Sequence, residues 1–371
     1  MKTFRIMCAA LVAAMTLASC QKEQAGKDNG PQQPKTITIS LSNVQTPVKS
    51  FNAPVQNEST ATVNNYQVFL ADDTGNFYTG KTKEGAAAEH YIDITNGGAL
   101  STTFHFVDPM VEQVYVVANL GSKQVFDNVE DLKAKSVNIE SQQDVTNLVL
   151  FGYDDELTAS SHAGNEVHEG ATVFEAAVEI APLVARIEIS NFSTTFSNES
   201  DLESITINKI AFNDYYTTSD LEGNVNVETR VNTDIKDENV YKYLDALNAT
   251  PTPWYYDALT AQMTAGAPDP VFADGNVYSY NFYPVAGTIG TEEGYPQIVI
   301  GATVVDTEDR IGQKYLATNS FGGVSSPGFA PGNVYTMSFA FAAENLKNQL
   351  KCVEVKVSVK PWTVITVTPN L

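Results

Sequence analysis

The sequence predicts an all-β protein with one β-sandwich in each half of the chain and a few short helices. Three observations predict it. Short segments alternate polar and apolar residues with period two, the pattern of half-buried strands. Gly, Pro, Asn and Asp gather between them at turn spacing. Helical periodicity is confined to two short stretches. With 371 residues, 43% hydrophobic and 18% charged, the chain can bury a real core, and its length suggests two domains. No repeat of about 20–50 residues is visible, which argues against a solenoid or propeller.

The elements follow in order. Thr36 to Ser42 alternates, with Ile37, Ile39 and Leu41 on one face. Asn65 to Ala71 and Phe77 to Thr79 flank Asp72-Asp73-Thr74-Gly75-Asn76, a hairpin turn. Leu100 to Val107 alternates again, placing Leu100, Thr102, Phe104 and Phe106 on one face. Val114 to Ala118 suits a central strand, and Asn128 to Lys135 a short helix capped by Asp127 or Asn128. Thr172 to Ile180 and Val184 to Ile189 read as strands separated by Ala181-Pro182. Proline cannot donate to a ladder, so the domain boundary is placed at Pro182. Beyond it, Ser204 to Phe212, Val277 to Tyr283, Gln297 to Val305, Lys314 to Thr318 and Val334 to Phe341 read as strands. Glu238 to Leu247 reads as a helix with Val240, Tyr243, Leu244 and Leu247 on one face. The Pro-rich stretch Thr250 to Pro270 reads as a long surface excursion.

Charge narrows the function. Lys and Arg total 22 against 44 Asp and Glu, for a formal net charge of -22. Phosphate binding needs a basic face, so nucleic acid is excluded as a partner. At the N-terminus, Lys2 and Arg5 precede an apolar run from Ile6 to Ala18. That run is shorter than the roughly 20 residues a membrane-spanning helix needs, and fits a signal peptide. It ends Leu17-Ala18-Ser19-Cys20, a small-residue site directly before a Cys, like the bacterial lipobox; cleavage between Ser19 and Cys20 would leave Cys20 lipidated. Losing Lys2 and Arg5 takes the formal charge from -22 to -24. Cys352 is then left without an internal disulfide partner and reads as a small buried apolar residue. Residues 20–34 are polar and read as a flexible tether.

The two ends of the mature chain look alike. Val353, Val355, Val357 and Val359 alternate with polar residues up to Pro361. Then comes Trp362-Thr363-Val364-Ile365-Thr366-Val367-Thr368, with Trp362 and Val364 on one face and Ile365 and Val367 on the other. Such a β-prone, uncharged end either packs in its own domain or is meant for another subunit. Removing the first strand would open an apolar groove with unpaired backbone edges, which invites a foreign strand.

Taken together, the Cys20 lipobox, the first strand with its loop Thr46-Pro47-Val48-Lys49-Ser50, and Val114-Tyr115-Val116-Val117-Ala118-Asn119 resemble the fimbrillins of the Bacteroidetes, the subunits of type V pili. So do Pro182 to Ile189, Gly332-Asn333-Val334-Tyr335 and the late Trp362. The resemblance implies two tandem transthyretin-like β-sandwiches: a signal peptide at 1–19, the tether, then domains at 35–182 and 183–371. It implies export as an outer-membrane lipoprotein with palmitate on Cys20. A trypsin-like processing protease then cuts the loop after the first strand. The loss of Ile37, Ile39 and Leu41 leaves a groove, which a neighbour's donor strand carrying Trp362, Val364, Ile365 and Val367 fills to build a cell-surface fimbria. Implied partners are other copies, anchor and tip subunits, and host or bacterial surface receptors in adhesion; no cofactor is implied. The family's cut usually follows an Arg, but no Arg lies between Arg5 and Arg186, so the matching loop offers Lys49 instead. Either Lys49 is cut, or the subunit keeps its first strand and serves as a tip or anchor.

Two other functions compete with this one. For an enzyme, His162 and His168 lie six apart in a Gly-containing loop and match no zinc pattern, and Asp72-Asp73 completes no calcium loop. For a surface glycan-binding lipoprotein, Trp254-Tyr255-Tyr256 with Tyr215-Tyr216 would stack on sugar rings; the alternative is that these aromatics staple a loop to the domain.

Overall fold

A computed structural model describes residues 34–41, 55–56, 61–160, 172–195, 201–233, 237–249, 255–265, 276–285, 296–318, 321, 328–343, 346, 350–351 and 355–361. The first half opens with β1 (Lys35–Ser40), β2 (Val55–Gln56), β3 (Asn65–Ala71) and β4 (Phe77–Tyr78). There follow β5 (Tyr91–Asp93), β6 (Ser101–Val107), β7 (Gln113–Ala118), helix α1 (Val129–Lys133) and β8 (Val137–Asn138). After a 3-10 turn at Ile139–Gln142 come β9 (Leu150–Asp154), β10 (Thr158–Ala159), β11 (Thr172–Ala177) and β12 (Ala181–Pro182). One sheet has the order β10-β11-β1-β6; the other has β12-β9-β7-β3-β4, with β5 also paired to β3. Ile37, Ile39 and Phe104 from the first sheet meet Val68, Leu70, Val114 and Val116 from the second in one core.

Local chemistry sets the boundaries. Asn128 caps α1 by accepting from the Asp131 N–H at 2.9 Å, and Glu130 and Asp131 sit in the favoured first turn. Asp72 is buried and organises the hairpin turn after β3, accepting from the backbone of Thr74 and Asn76 and from the Tyr78 hydroxyl. Burial alone would raise its pKa; the bonds from Asn76, Thr74 and Tyr78 outweigh this and hold the carboxyl well below the usual range. Along β6 the simple alternation fails. Lys35 pairs with Val107 but Ile37 with Phe104, so β6 carries an extra residue, and Phe106 adopts φ 50. This bulge turns Phe106 off the core face, and Val107 is buried instead.

The second half begins with β13 (Ala185–Thr194), β14 (Leu202–Asn213), β15 (Tyr215–Tyr216), β16 (Thr218–Ser219) and β17 (Arg230–Val231). Helix α2 (Asp237–Ala249) leads to β18 (Tyr256–Thr264), β19 (Asn276–Phe282) and β20 (Gln297–Asp306). The last strands are β21 (Ile311–Ala317), β22 (Asn333–Phe341), β23 (Leu350–Lys351) and β24 (Val355–Pro361). Its sheets run β2-β19-β13-β22-β24 and β18-β14-β20-β21-β23. On α2, Leu244 and Leu247 are buried against Tyr256, Val299 and Ala317. The expected surface excursion at 250–270 is corrected by β18, which pairs antiparallel with β14 from Tyr256 to Thr264. Tyr256, Ala261 and Met263 are buried, so pairing with β14 overrides a segment poor in β-branched residues.

The two halves share one strand topology, a duplication that no sequence repeat announces. In the first, β1 lies between parallel β11 and antiparallel β6. In the second, β13 lies between parallel β22 and antiparallel β19. The opposite sheets match as well: β3-β7-β9 corresponds to β14-β20-β21, antiparallel throughout. One core takes in residues from Ile37 to Val184, with Leu221, Tyr283 and Val334; the other begins at Ala185.

Polar bonds join the halves. The Gln143 side chain donates to the Asn281 carbonyl at 2.8 Å and accepts from its N–H at 2.9 Å, as a neighbouring strand would. The Asn281 amide donates to the Gln142 carbonyl at 2.6 Å, and Tyr283 to that of Val137 at 3.0 Å. β8 pairs with β16 across the same junction. The neighbouring stretch of β13 carries an ion pair, Arg186 Nε to Glu188 Oε1 at 3.0 Å, with both side chains 0% exposed. Removing one member of a buried pair strands the other charge. Arg186→Met is expected to lower unfolding free energy by roughly 3–5 kcal/mol, while Arg186→Met with Glu188→Leu recovers most of the loss; denaturant unfolding of the three proteins checks this.

Candidate functional site

The site with the most distinctive placement is the first strand. Ile37 and Ile39 are 0% exposed and Leu41 is 4% exposed, although the strand stands at the start of the described chain. β1 is parallel to β11 from Lys35↔Thr172 to Ser40↔Ala177, and antiparallel to β6 from Ile37↔Phe104 to Ser40↔Ser101. The Leu41 N–H adds a bond to the Leu100 carbonyl at 2.7 Å. The far edges of both neighbours are engaged, β11 by β10 and β6 by Lys81, which exchanges two backbone bonds with His105. Taking β1 away therefore exposes one backbone edge on each neighbour, over a floor that includes Phe104, Val107 and Ala176.

Next to this groove sits a histidine that sequence reasoning missed. His90 Nδ1 lies 3.1 Å from the Val68 carbonyl, and the Gly80 N–H donates to Nε2 at 3.2 Å. A carbonyl only accepts and an amide N–H only donates, so the ring is neutral with its proton on Nδ1. The ring packs 4.4 Å from that of Phe104, the residue opposite Ile37. Gly80 has no room for a side chain, since a Cβ there would stand 2.6 Å from the Phe104 Cβ. His90 thus ties β3 of one sheet to the segment that covers β6 of the other. Burial lowers its pKa, opposed by the Val68 bond and the Glu89 charge and reinforced by Lys123. Glu89 and Lys123 are themselves paired at 2.8 Å.

Other sequence-predicted residues are placed as follows. Ser19, Cys20, Lys49, Trp362, Val364, Ile365 and Val367 lie outside the described residues, as do Cys352, His162, His168 and Trp254. The described chain reaches Pro361, opposite Asn333 at the end of the β22–β24 ladder. Tyr215, Tyr216 and Tyr256 are buried, Tyr215 stacks on Tyr255 at 6.0 Å, and Tyr256 donates to Asn248 at 2.9 Å. Tyr215, Tyr255 and Tyr256 pack the second sandwich and its helix, and Arg230 lies over the Tyr216 ring at 6.0 Å. Among the described residues, no group of three His, Cys, Asp or Glu side chains is placed to hold a metal ion.

No protein-family model matches the chain, and no curated protein matches its sequence. Solved structures do match in fold. A protein assigned to cell adhesion from Bacteroides eggerthii superposes with TM-score 0.55 at 16% identity, covering 90% of this chain and 98% of that one. A second, from Parabacteroides distasonis, gives TM-score 0.56 at 13% identity, covering 91% and 99%. A fimbrilin from Porphyromonas gingivalis gives TM-score 0.51 at 11% identity, covering 90% and 99%. The chain shares its strand-rich fold with these proteins over 90% or more of its length.

Two outcomes are expected. Because the folded pKa of His90 is depressed, its stabilising effect is complete above the unfolded value of about 6.5 and declines as pH falls through the folded value. Denaturant midpoints at pH 7.5 and 5.5 should show a larger acid loss in the native protein than in His90→Gln, whose amide retains an acceptor for Gly80. Ile39→Ala should cost about 2–5 kcal/mol, the range for emptying a buried aliphatic position; amide exchange should show the loss concentrated in β1, β6 and β11.

Proposed function

We propose that the chain is a structural subunit of a cell-surface fimbria of type V, exported as an outer-membrane lipoprotein and polymerised by strand exchange in support of adhesion. The observation that carries the reading is the setting of β1. A terminal strand of apolar alternation stands between two others with its inward side chains fully buried, so its departure leaves a groove of its own shape. The fold shared with a fimbrilin and with proteins assigned to cell adhesion supports it. On this reading Ser19–Cys20 is the signal cleavage site and Cys20 carries the lipid. A processing protease cuts after Lys49, the basic residue of the loop behind the first strand. Residues 35–182 and 183–371 act as the two domains of the subunit. The segment with Trp362, Val364, Ile365 and Val367 is donated to the next copy, and anchor and tip subunits close the ends of the fibre.

N-terminal sequencing of the protein in shed surface fibres tests the processing step. The expected mature chain begins at Ser50. A fibre subunit still beginning at Cys20 overturns processing at Lys49 and leaves the uncut anchor or tip role.

A further inference from the structure

Lys35 stands at the head of the first strand and shares its inward face with Ile37, Ile39 and Leu41. Its ammonium donates to the buried Val111 carbonyl at 2.7 Å and lies 4.9 Å from the centre of the Phe174 ring. Burial lowers the pKa of this ammonium, and the charges of Glu112 and Asp108, from the turn joining β6 to β7, oppose that loss. Val111 is 0% exposed, so this carbonyl sits at the floor of the cradle. A carbonyl, an aromatic face and two carboxylates form a cation site whose parts all belong to β11 and the β6–β7 turn. The cradle remains when β1 leaves.

Alternation alone does not define where a strand stops sliding. A one-residue slip turns every apolar side chain outward, but a two-residue slip keeps the same face inward. What such a slip loses is the end group: the ammonium leaves the Val111 carbonyl and the Phe174 ring. We infer that this cradle is a cation subsite setting the register of whichever strand lies between β11 and β6, and that after processing it receives Lys360 of a second copy. The inference rests on the strand-exchange reading above and names what its groove selects.

The choice of lysine follows from how much of the chain's own pairing each must give up, since Lys351 and Lys360 are both engaged in ladders. Lys351 is also followed by apolar residues at alternate positions, but it pairs with β21, and Val355 to Phe339 begins the β22–β24 ladder. Lys356 is followed two residues on by Ser358. Lys360 is the last lysine of the chain and lies one rung from the end of that ladder, opposite Val334. With Lys360 in the place of Lys35, Trp362 and Val364 take the places of Ile37 and Ile39. Trp362 would replace the fully buried Ile37, so its larger ring must be accommodated toward Phe174, the half-buried β11 residue opposite that position. Pro361 takes the place of Thr36, which falls at the β6 bulge, the kind of position where a sheet tolerates proline.

The test uses the full chain with a sequence-specific protease site at residue 49, cut so that β1 can dissociate. A labelled peptide of residues 358–369 is titrated in by fluorescence anisotropy, beside its K360M form. The K360M peptide is expected to bind about tenfold more weakly, as for loss of one desolvated cation–π and charge-assisted contact. Asp108→Asn with Glu112→Gln in the receptor should narrow that gap. Equal binding of the two peptides overturns the cation subsite, and tighter binding of a peptide centred on Lys351 overturns the choice of Lys360. Failure of every peptide to bind after release of β1, confirmed by mass, overturns the strand-exchange reading itself.

Discussion

The first sandwich is closed by the ladder that residues 35–40 complete. Among the described residues nothing but β1 bridges β11 and β6, so that sheet is continuous only while β1 stands between them. Each of Ile37, Ile39 and Leu41 contributes about 1.5–3 kcal/mol by burial, and the backbone of β1 satisfies both neighbours. A parallel partner on one side and an antiparallel partner on the other make the strand hard to replace by chance. Only a segment with the right alternation and direction matches both ladders.

The duplicated topology makes the contrast between halves informative. β13 occupies in the second sandwich the place that β1 occupies in the first, yet it is held very differently. It follows continuously from the first sandwich, its inward residues lie in the core, and its other face carries the buried Arg186–Glu188 pair. β1 lies instead beside the sequence-predicted cutting loop. The proposed strand exchange would make the same architectural position permanent in one half and separable in the other. The junction belongs to the permanent part. Gln143 bonds the Asn281 peptide group as a neighbouring strand would, and such buried, directional bonds hold a fixed geometry better than apolar contact alone.

The acidic composition is put to local use. Asp72, Asp220 and Asp306 each accept the backbone N–H four residues on, turning carboxylates into turn-forming devices. Asp306 also binds the Arg310 guanidinium, one of only four Arg in the chain, and its pKa is lowered by that bond first. In a chain of charge -22, a lysine on the inward face of a strand needs a reason. The cradle of Val111 and Phe174 supplies it.

Much of the architecture was legible because period-two alternation depends only on neighbouring residues. The strands at 65–71 and 297–306, the Asn128 cap and the inward face of Ile37, Ile39 and Leu41 were readable for that reason. β18 was not, since its sequence has little strand preference and its pairing with β14 decides it. The β6 bulge escaped because nothing local marks Phe106 as the residue with positive φ. His90 and Lys35 escaped because their roles depend on Val68, Gly80, Val111 and Phe174, which only folding brings near. By itself the sequence determined the inward face of the regular strands, where many turns fall and that the chain is all-β. Which strand lies beside which, in what direction and register, was decided by the tertiary structure. Alternation specifies a face but not a neighbour, and contacts between residues far apart in the chain select the neighbour.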